Sequence, residues 1–333
     1  MNLIALFLAL VLERAATNLF HLREPRWFDA YIEWTLARFA RLRGAPLVVL
    51  TVLLVLLPVA PVALVAAALS GTLAEIPYLA FATFVLVFSL GPRDLKREID
   101  DYLAACGTGA SAGAEAGAGA GVGAGSGAAA GGGGGGSGDR ELAANVAQEI
   151  MEHDAAQRTA DAPATLEDAI FVQANNRLFG VALWFMAAGP TGAWLFRVSD
   201  LMRRRAVFEY RERAENPEAV PQFVPVLQAI HGVLAWIPAR ILLFGYALAG
   251  SFERAKLAWR AVAAAPGRFF DKNDQLLAAV GRAALEVEAA PPPGEVPPLP
   301  NAERVRACMA LVTRALVIWL VVISVLVLFG WVR

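Results

Sequence analysis

The chain has 333 residues, 57% of them hydrophobic and only 18% charged, against about 25% charged in an ordinary soluble domain. Its formal net charge of −1 gives no global field that would draw nucleic acid. The two cysteines, Cys106 and Cys308, are far apart and form neither a disulfide framework nor a zinc-ligand spacing.

Four stretches, 46–70, 76–90, 179–196 and 315–332, contain no charged residue. About 20 apolar residues rise about 30 Å as a helix, the thickness of the hydrocarbon core. The expected fold class is therefore all-α: a polytopic helical membrane protein with helical inserts and a Gly/Ala-rich tether. In chain order, 2–19 reads as a retained first membrane helix. No basic region precedes it, and Glu13-Arg14 follows with no small-residue cleavage site, unlike a signal peptide. The second segment, 46–69, holds Pro58 and Pro61, which kink a membrane helix when neighbours satisfy the freed carbonyls. The third, 74–90, follows after Ser70-Gly71-Thr72-Leu73 and so forms an antiparallel hairpin with the second.

A polar insert, 91–177, comes next. Its first helix, 93–105, places Ile99, Tyr102, Leu103 and Cys106 on one face. Residues 107–138 are almost all Gly, Ala and Ser, with no apolar side chain larger than Val122. Such a run cannot repay its ordering entropy and is expected to be a disordered linker. It ends Ser137-Gly138-Asp139-Arg140, without the Lys-Ser/Thr of a phosphate-binding loop. Residues 139–157 read as an alanine-rich helix in which His153-Asp154 forms a solvated face. Thr165, three residues before Asp168, signals a capping box, and the helix it starts runs into the fourth membrane segment, 178–196. Gly189-Pro190 breaks that segment at mid-depth. A short charged helix, 200–216, is expected to place Arg203, Arg204 and Arg205 at the membrane surface. The fifth segment, 225–252, is interrupted by His231, Pro238 and Arg240, and the sixth spans 308–332.

The organisation is then 1–90, three membrane helices with a cytoplasmic loop; 91–177, a cytoplasmic insert with its linker at 107–138; 178–252, membrane helices four and five; 253–307, cytoplasmic helices with a proline-rich spacer at 290–300; and 308–333, the last membrane helix. The distribution of Lys and Arg puts the loop 21–45, the insert and 251–307 inside a bacterial inner membrane, multi-pass. The loop after segment four is the exception, falling outside with its arginine triplet.

Three polar groups converge on the cytoplasmic side of this topology. Glu13 and Arg14 lie in a membrane helix, where each ionised group costs about 2.5–3.5 kcal/mol at the centre. Arg93 and Asp94 follow the Gly91-Pro92 helix break. Asn175, Asn176 and Arg177 stand at the bilayer edge although Asn is a poor helix former. Together they suggest a site for an anionic or amide-rich ligand; each also admits the plainer reading of ordinary interfacial polarity. No catalytic motif or metal-ligand spacing occurs among His21, His153 and His231 or the cysteines. A non-enzymatic protein without cofactor or metal is expected, with the lipid bilayer as its partner and no nucleic acid.

Several motifs occur in a fixed order: Leu12-Glu13-Arg14, Trp27-Phe28, Tyr31 to Trp34, Phe88-Ser89-Leu90-Gly91-Pro92-Arg93-Asp94-Leu95, Ala174-Asn175-Asn176-Arg177-Leu178-Phe179-Gly180, Trp184-Phe185 and Gly189-Pro190. In this order they resemble the AmpE family, inner-membrane proteins encoded beside an anhydro-muropeptide amidase in β-lactamase regulatory operons. The resemblance implies a regulatory modulator of cell-wall recycling and β-lactamase induction, with a peptidoglycan-derived ligand or a regulatory protein as partner. That family is also similar to the CobD/CbiB membrane proteins. This implies an alternative, an ATP-using membrane amide ligase in which Glu13 or Asp94 would hold magnesium. Nothing is carried onto the Gly-rich run, which looks like an insertion.

Overall fold

The computed structural model describes residues 30, 31, 34, 44–70, 75–90, 95–118, 144, 145, 147, 165–213, 223–267, 272–286 and 300–329. Among them there is no strand. The helices are α1 (Ala45–Leu56), α2 (Ala60–Ser70), α3 (Glu75–Leu90), α4 (Leu95–Ala118), α5 (Leu166–Ala174), a π turn (Asn175–Phe179), α6 (Gly180–Arg213), α7 (Phe223–Ala249), α8 (Phe252–Ala264), α9 (Asn273–Ala284) and α10 (Ala302–Leu328). The chain is an all-α polytopic membrane protein. Four helical stretches among the described residues are long and apolar enough to cross a bilayer: Ile76–Cys106, Leu166–Ala206, Phe223–Ala249 and Ala302–Leu326.

The expected first membrane helix, 2–19, lies outside the described residues, as do most of the alanine-rich helix 139–157 and nearly all of the proline-rich spacer. The second segment is two short helices, α1 and α2, bent by 48°. With 12 and 11 residues, each rises less than about 20 Å, too little to cross alone. The bend falls at residues 57–59, beside the two prolines, and Trp194 Nε1 donates to the Pro58 carbonyl at 2.9 Å. Pro238 similarly denies the Leu234 carbonyl its helical donor, and Trp184 Nε1 takes that place at 3.0 Å. Two indoles thus satisfy backbone acceptors exposed by helix irregularities, as a lipid environment requires.

Helix α4 extends to Ala118, beyond the 93–105 read from the sequence. Residues 119–138 lie outside the described set. The face foreseen on α4 holds: Ile99 and Tyr102 are buried, and the Tyr102 hydroxyl donates to the Pro300 carbonyl at 2.7 Å.

The capping box also holds. Asp168 N donates to Thr165 Oγ1 at 3.2 Å, and Thr165 N to Asp168 Oδ2 at 3.3 Å. Helix α5 continues through the π turn into α6. As one straight helix the 41 residues Leu166–Ala206 would be about 60 Å long, twice the bilayer core. They are not straight. Ala188 is non-helical (φ −134°, ψ 18°) and Gly189 sits at φ 63°, ψ −154°, in a region that glycine reaches without strain, just ahead of Pro190. The second arm packs back against the first. A Cβ on Gly192 would lie 2.3 Å from the Trp184 carbonyl oxygen, and one on Gly180 would lie 2.2 Å from the Phe196 ring. In an unbroken helix Gly180 and Phe196 would stand about 24 Å apart.

Helices α8 and α9 form a hairpin, and α9 lies against α5 and α7. Ion pairs tie helices to α5: Arg282 of α9 to Asp168 at 2.9 Å and Arg304 of α10 to Glu167 at 3.6 Å. Helices α9 and α5 approach closely at Gly281, where an added Cβ would stand 2.5 Å from the buried Phe171 ring. Gly281→Ala is therefore expected to wedge α9 from α5 and lower stability by about 1–3 kcal/mol, the usual cost of overpacking. Thermal unfolding in detergent reads this directly; an unchanged or raised midpoint would contradict the packing.

A buried arginine and carboxylate cluster

The π turn inserts one extra residue into the helix and reorients three successive polar side chains. Asn175 and Asn176 are fully buried and Arg177 nearly so. Arg177 Nη1 lies 3.0 Å from both carboxylate oxygens of Glu98 on α4. Asn175 Nδ2 donates to Asn176 Oδ1 at 3.1 Å. That bond leaves Asn175 Oδ1 and Asn176 Nδ2, both buried, without hydrogen-bond partners among the described residues.

The second arm of α6 brings the other half. Asp200 is fully buried, and its neighbours at −3, +3 and +4 are arginines, the spacings that share one helix face. Arg203 Nη2 donates to Asp200 Oδ1 at 2.9 Å, Arg204 Nε to the same oxygen at 3.0 Å, and Arg197 Nη1 to Oδ2 at 3.4 Å. Arg204 Nη2 is 3.0 Å from Oδ2. The two halves form one electrostatic unit: Arg177 interacts with Asp200 and Arg204, and Arg197 with Arg177.

His231 of α7 completes the wall. Ser199 Oγ lies 3.0 Å from His231 Nδ1 and donates its proton to the Phe196 carbonyl at 2.7 Å. Since a hydroxyl has one proton to give, Nδ1–H must be the donor to Ser199. Nε2 then faces Asp200 Oδ1 at 3.9 Å, with no hydrogen-bond partner among the described residues. At the edge, Arg203 approaches Asp274 of α9 at 3.9 Å. Arg240 bonds to Asn273, whose Nδ2 donates to the Gly232 carbonyl at 2.7 Å.

Among the described residues, the buried guanidiniums of Arg177, Arg197 and Arg203 and the part-buried one of Arg204 face the carboxylates of Glu98 and Asp200. Half-exposed Asp274 stands at the rim. Buried charge needs close compensation, and here Glu98 and Asp200 supply it. Arginine, always charged and forked, suits carboxylate and phosphate groups.

Of the residues expected from the sequence, Asn175, Asn176 and Arg177 are brought together and buried. Glu13, Arg14, Arg93 and Asp94 lie outside the described residues. Glu98, Arg197, Asp200, Arg203, Arg204 and His231 went unforeseen. The expectation that the arginine triplet lies across the membrane from Arg177 is overturned for Arg203 and Arg204. They are held by Asp200 in the same unit as Arg177, because the chain folds back at Ala188-Gly189 instead of crossing straight. Asp200 and Arg203 are both buried within the protein.

A family model described as regulatory signalling modulator protein AmpE matches residues 138–332. The match takes in the π turn, both arms of α6, α7 and α10, and leaves Glu98 outside it. No curated protein and no solved structure matches.

Proposed function

Because the chain belongs to the AmpE family of regulatory signalling modulator proteins, we propose that it modulates signalling from the bacterial inner membrane, in the pathway that links cell-wall recycling to β-lactamase induction, by reading an anionic ligand at the buried arginine cluster. One observation carries this reading: buried Arg197 and Arg203 and part-buried Arg204 share the single carboxylate of Asp200, and Arg177 pairs with Glu98 within electrostatic range of them. A signalling protein needs an element whose arrangement differs with and without ligand. An anion entering this cluster would compete with Glu98 and Asp200 for the same guanidiniums and so loosen α4 from the π turn. A peptidoglycan-derived anhydro-muropeptide supplies carboxylates and amides suited to Arg177 and to the free edges of Asn175 and Asn176.

The test is β-lactamase induction in cells carrying Glu98→Leu with Arg177→Met, a pair chosen so that no buried carboxylate is stranded. The variant is expected to accumulate in the membrane at the parental level and to lose normal induction by a β-lactam. Normal induction with full accumulation would refute the ligand role of the pair.

A further inference from the structure

The cluster accounts for the buried charge but not for the outer face of α8. This helix leaves membrane helix α7 through Gly250-Ser251. Its inner face repeats at i, i+3, i+4 and i+7: Ala255 is buried, and Ala258, Trp259 and Val262 are half-buried against the core. Trp259 packs edge-on to Phe244 of α7 at 5.3 Å. The outer face mixes two chemistries. Phe252 and Leu257 are 48% and 63% exposed, and between and beyond them Arg254, Lys256 and Arg260 are exposed.

Two observations identify what covers this face. The apolar part continues the bare surface of α7, where Phe244 and Leu248 are 55% and 64% exposed. Bulky apolar side chains on the outside of a membrane helix face acyl chains, so Phe252 prolongs a lipid-facing surface. The basic part is weakly compensated. Arg254 meets Glu286 at 3.2 Å and Lys256 meets Glu253 at 3.8 Å, both exposed pairs of little strength, and Arg260 has no ion-pair partner among the described residues. Apolar anchors interleaved with long basic side chains, beside a membrane helix, make an interfacial surface.

We propose that the outer face of α8 binds anionic phospholipid headgroups, with Phe252 and Leu257 among the upper acyl carbons and Arg254, Lys256 and Arg260 on the phosphates. This surface is separate from the buried cluster, and its ligand is the membrane itself. The lipid composition around the protein then bears on the junction between α7 and the α8–α9 hairpin, which holds Asn273 and Asp274 at the rim of the cluster.

The full-length protein, purified in mild detergent, is titrated with phosphatidylglycerol or phosphatidylcholine, and bound lipid is counted by native mass spectrometry alongside thermal stabilisation. Phosphatidylglycerol is expected to be retained preferentially. Arg254→Gln/Lys256→Gln/Arg260→Gln should weaken its binding about tenfold or more, from the attraction of each basic side chain to an anionic surface, and leave phosphatidylcholine unchanged. Arg306→Gln, an exposed arginine on α10, serves as the control that should change nothing. For the parental protein, the preference should collapse in about 1 M salt, where the screening length is about 3 Å. Equal retention of the two lipids, a preference insensitive to salt, or a triple variant that binds phosphatidylglycerol like the parent would each overturn the proposal.

Discussion

Asp200→Ala is expected to be the most damaging single substitution in the chain. Asp200 is the carboxylate shared by Arg197, Arg203 and Arg204, and all three guanidiniums approach it within 3.4 Å. Removing it strands two buried cations, Arg197 and Arg203, and part-buried Arg204 on one helix arm, and breaking a buried pair by deleting one partner costs about 3–5 kcal/mol. That is a large fraction of a typical total stability of about 5–15 kcal/mol. The variant should fail to accumulate, or should unfold at a much lower temperature in detergent. Asp200→Asn keeps the shape and one acceptor oxygen but not the charge, and should suffer similarly. Pairing Asp200→Ala with Arg203→Leu should recover part of the loss, because the two residues share one interaction and their effects are then not additive. A wild-type melting profile for Asp200→Ala would mean that the arginines are compensated from elsewhere.

The second large effect concerns Glu98 and Arg177. Arg177→Ala leaves Glu98 buried without its cation, and Glu98→Ala deprives buried Arg177 of this carboxylate. Each alone should destabilise by about 3–5 kcal/mol. The double replacement Glu98→Leu/Arg177→Met should cost much less, since a buried ion pair exchanged for apolar groups of similar volume is often neutral or stabilising. Thermal unfolding of the four proteins closes the cycle. Strictly additive losses would show that the two side chains do not act as a pair. Because Glu98 lies outside the stretch matched by the family model and Arg177 inside it, a strong coupling would also show that the insert before residue 138 is joined energetically to the family part of the chain.

Much of the fold is legible in the sequence. The capping box at Thr165 and Asp168 carries its own local signature, and the uncharged runs at 76–90 and 315–332 are long enough to stand out without tertiary context. The buried face of α4 follows from the spacing of Ile99 and Tyr102. The site is only partly legible, for a specific reason. Residues 179–196 have the length and composition of a span, and read as a straight span they carry Arg197 to Arg205 away from Arg177. The signal against this was Gly189-Pro190. A proline within a membrane helix can mean a mild kink or a reversal, and one dihedral angle decides between them. Gly189 at φ 63° settles it, and no pattern of hydropathy contains that angle. Glu98 was missed for a different reason. On a charged helix such as α4, which begins Leu95-Lys96-Arg97-Glu98, an acid looks like part of a solvated face until its long-range partner is known. His231 was visible as an interruption of an apolar run, but its contacts with Ser199 and Asp200 come from elements 31 or more residues away.

The cluster's role rests on one claim, that it accepts the carboxylates of an anhydro-muropeptide. The measurement that addresses it most directly is thermal stabilisation of the detergent-purified protein by anhydro-muropeptides, Mg-ATP and a corrinoid acid, compared with the same titration of Glu98→Leu/Arg177→Met. A ligand at about 100 times its dissociation constant stabilises by about 2.7 kcal/mol. The account predicts stabilisation by anhydro-muropeptides in the parent, a weaker shift when the ligand's carboxylates are amidated, and loss of the shift in the double variant. Stabilisation by anhydro-muropeptides that survives both changes, or stabilisation by Mg-ATP or the corrinoid alone, would contradict it, the latter in favour of an amide ligase.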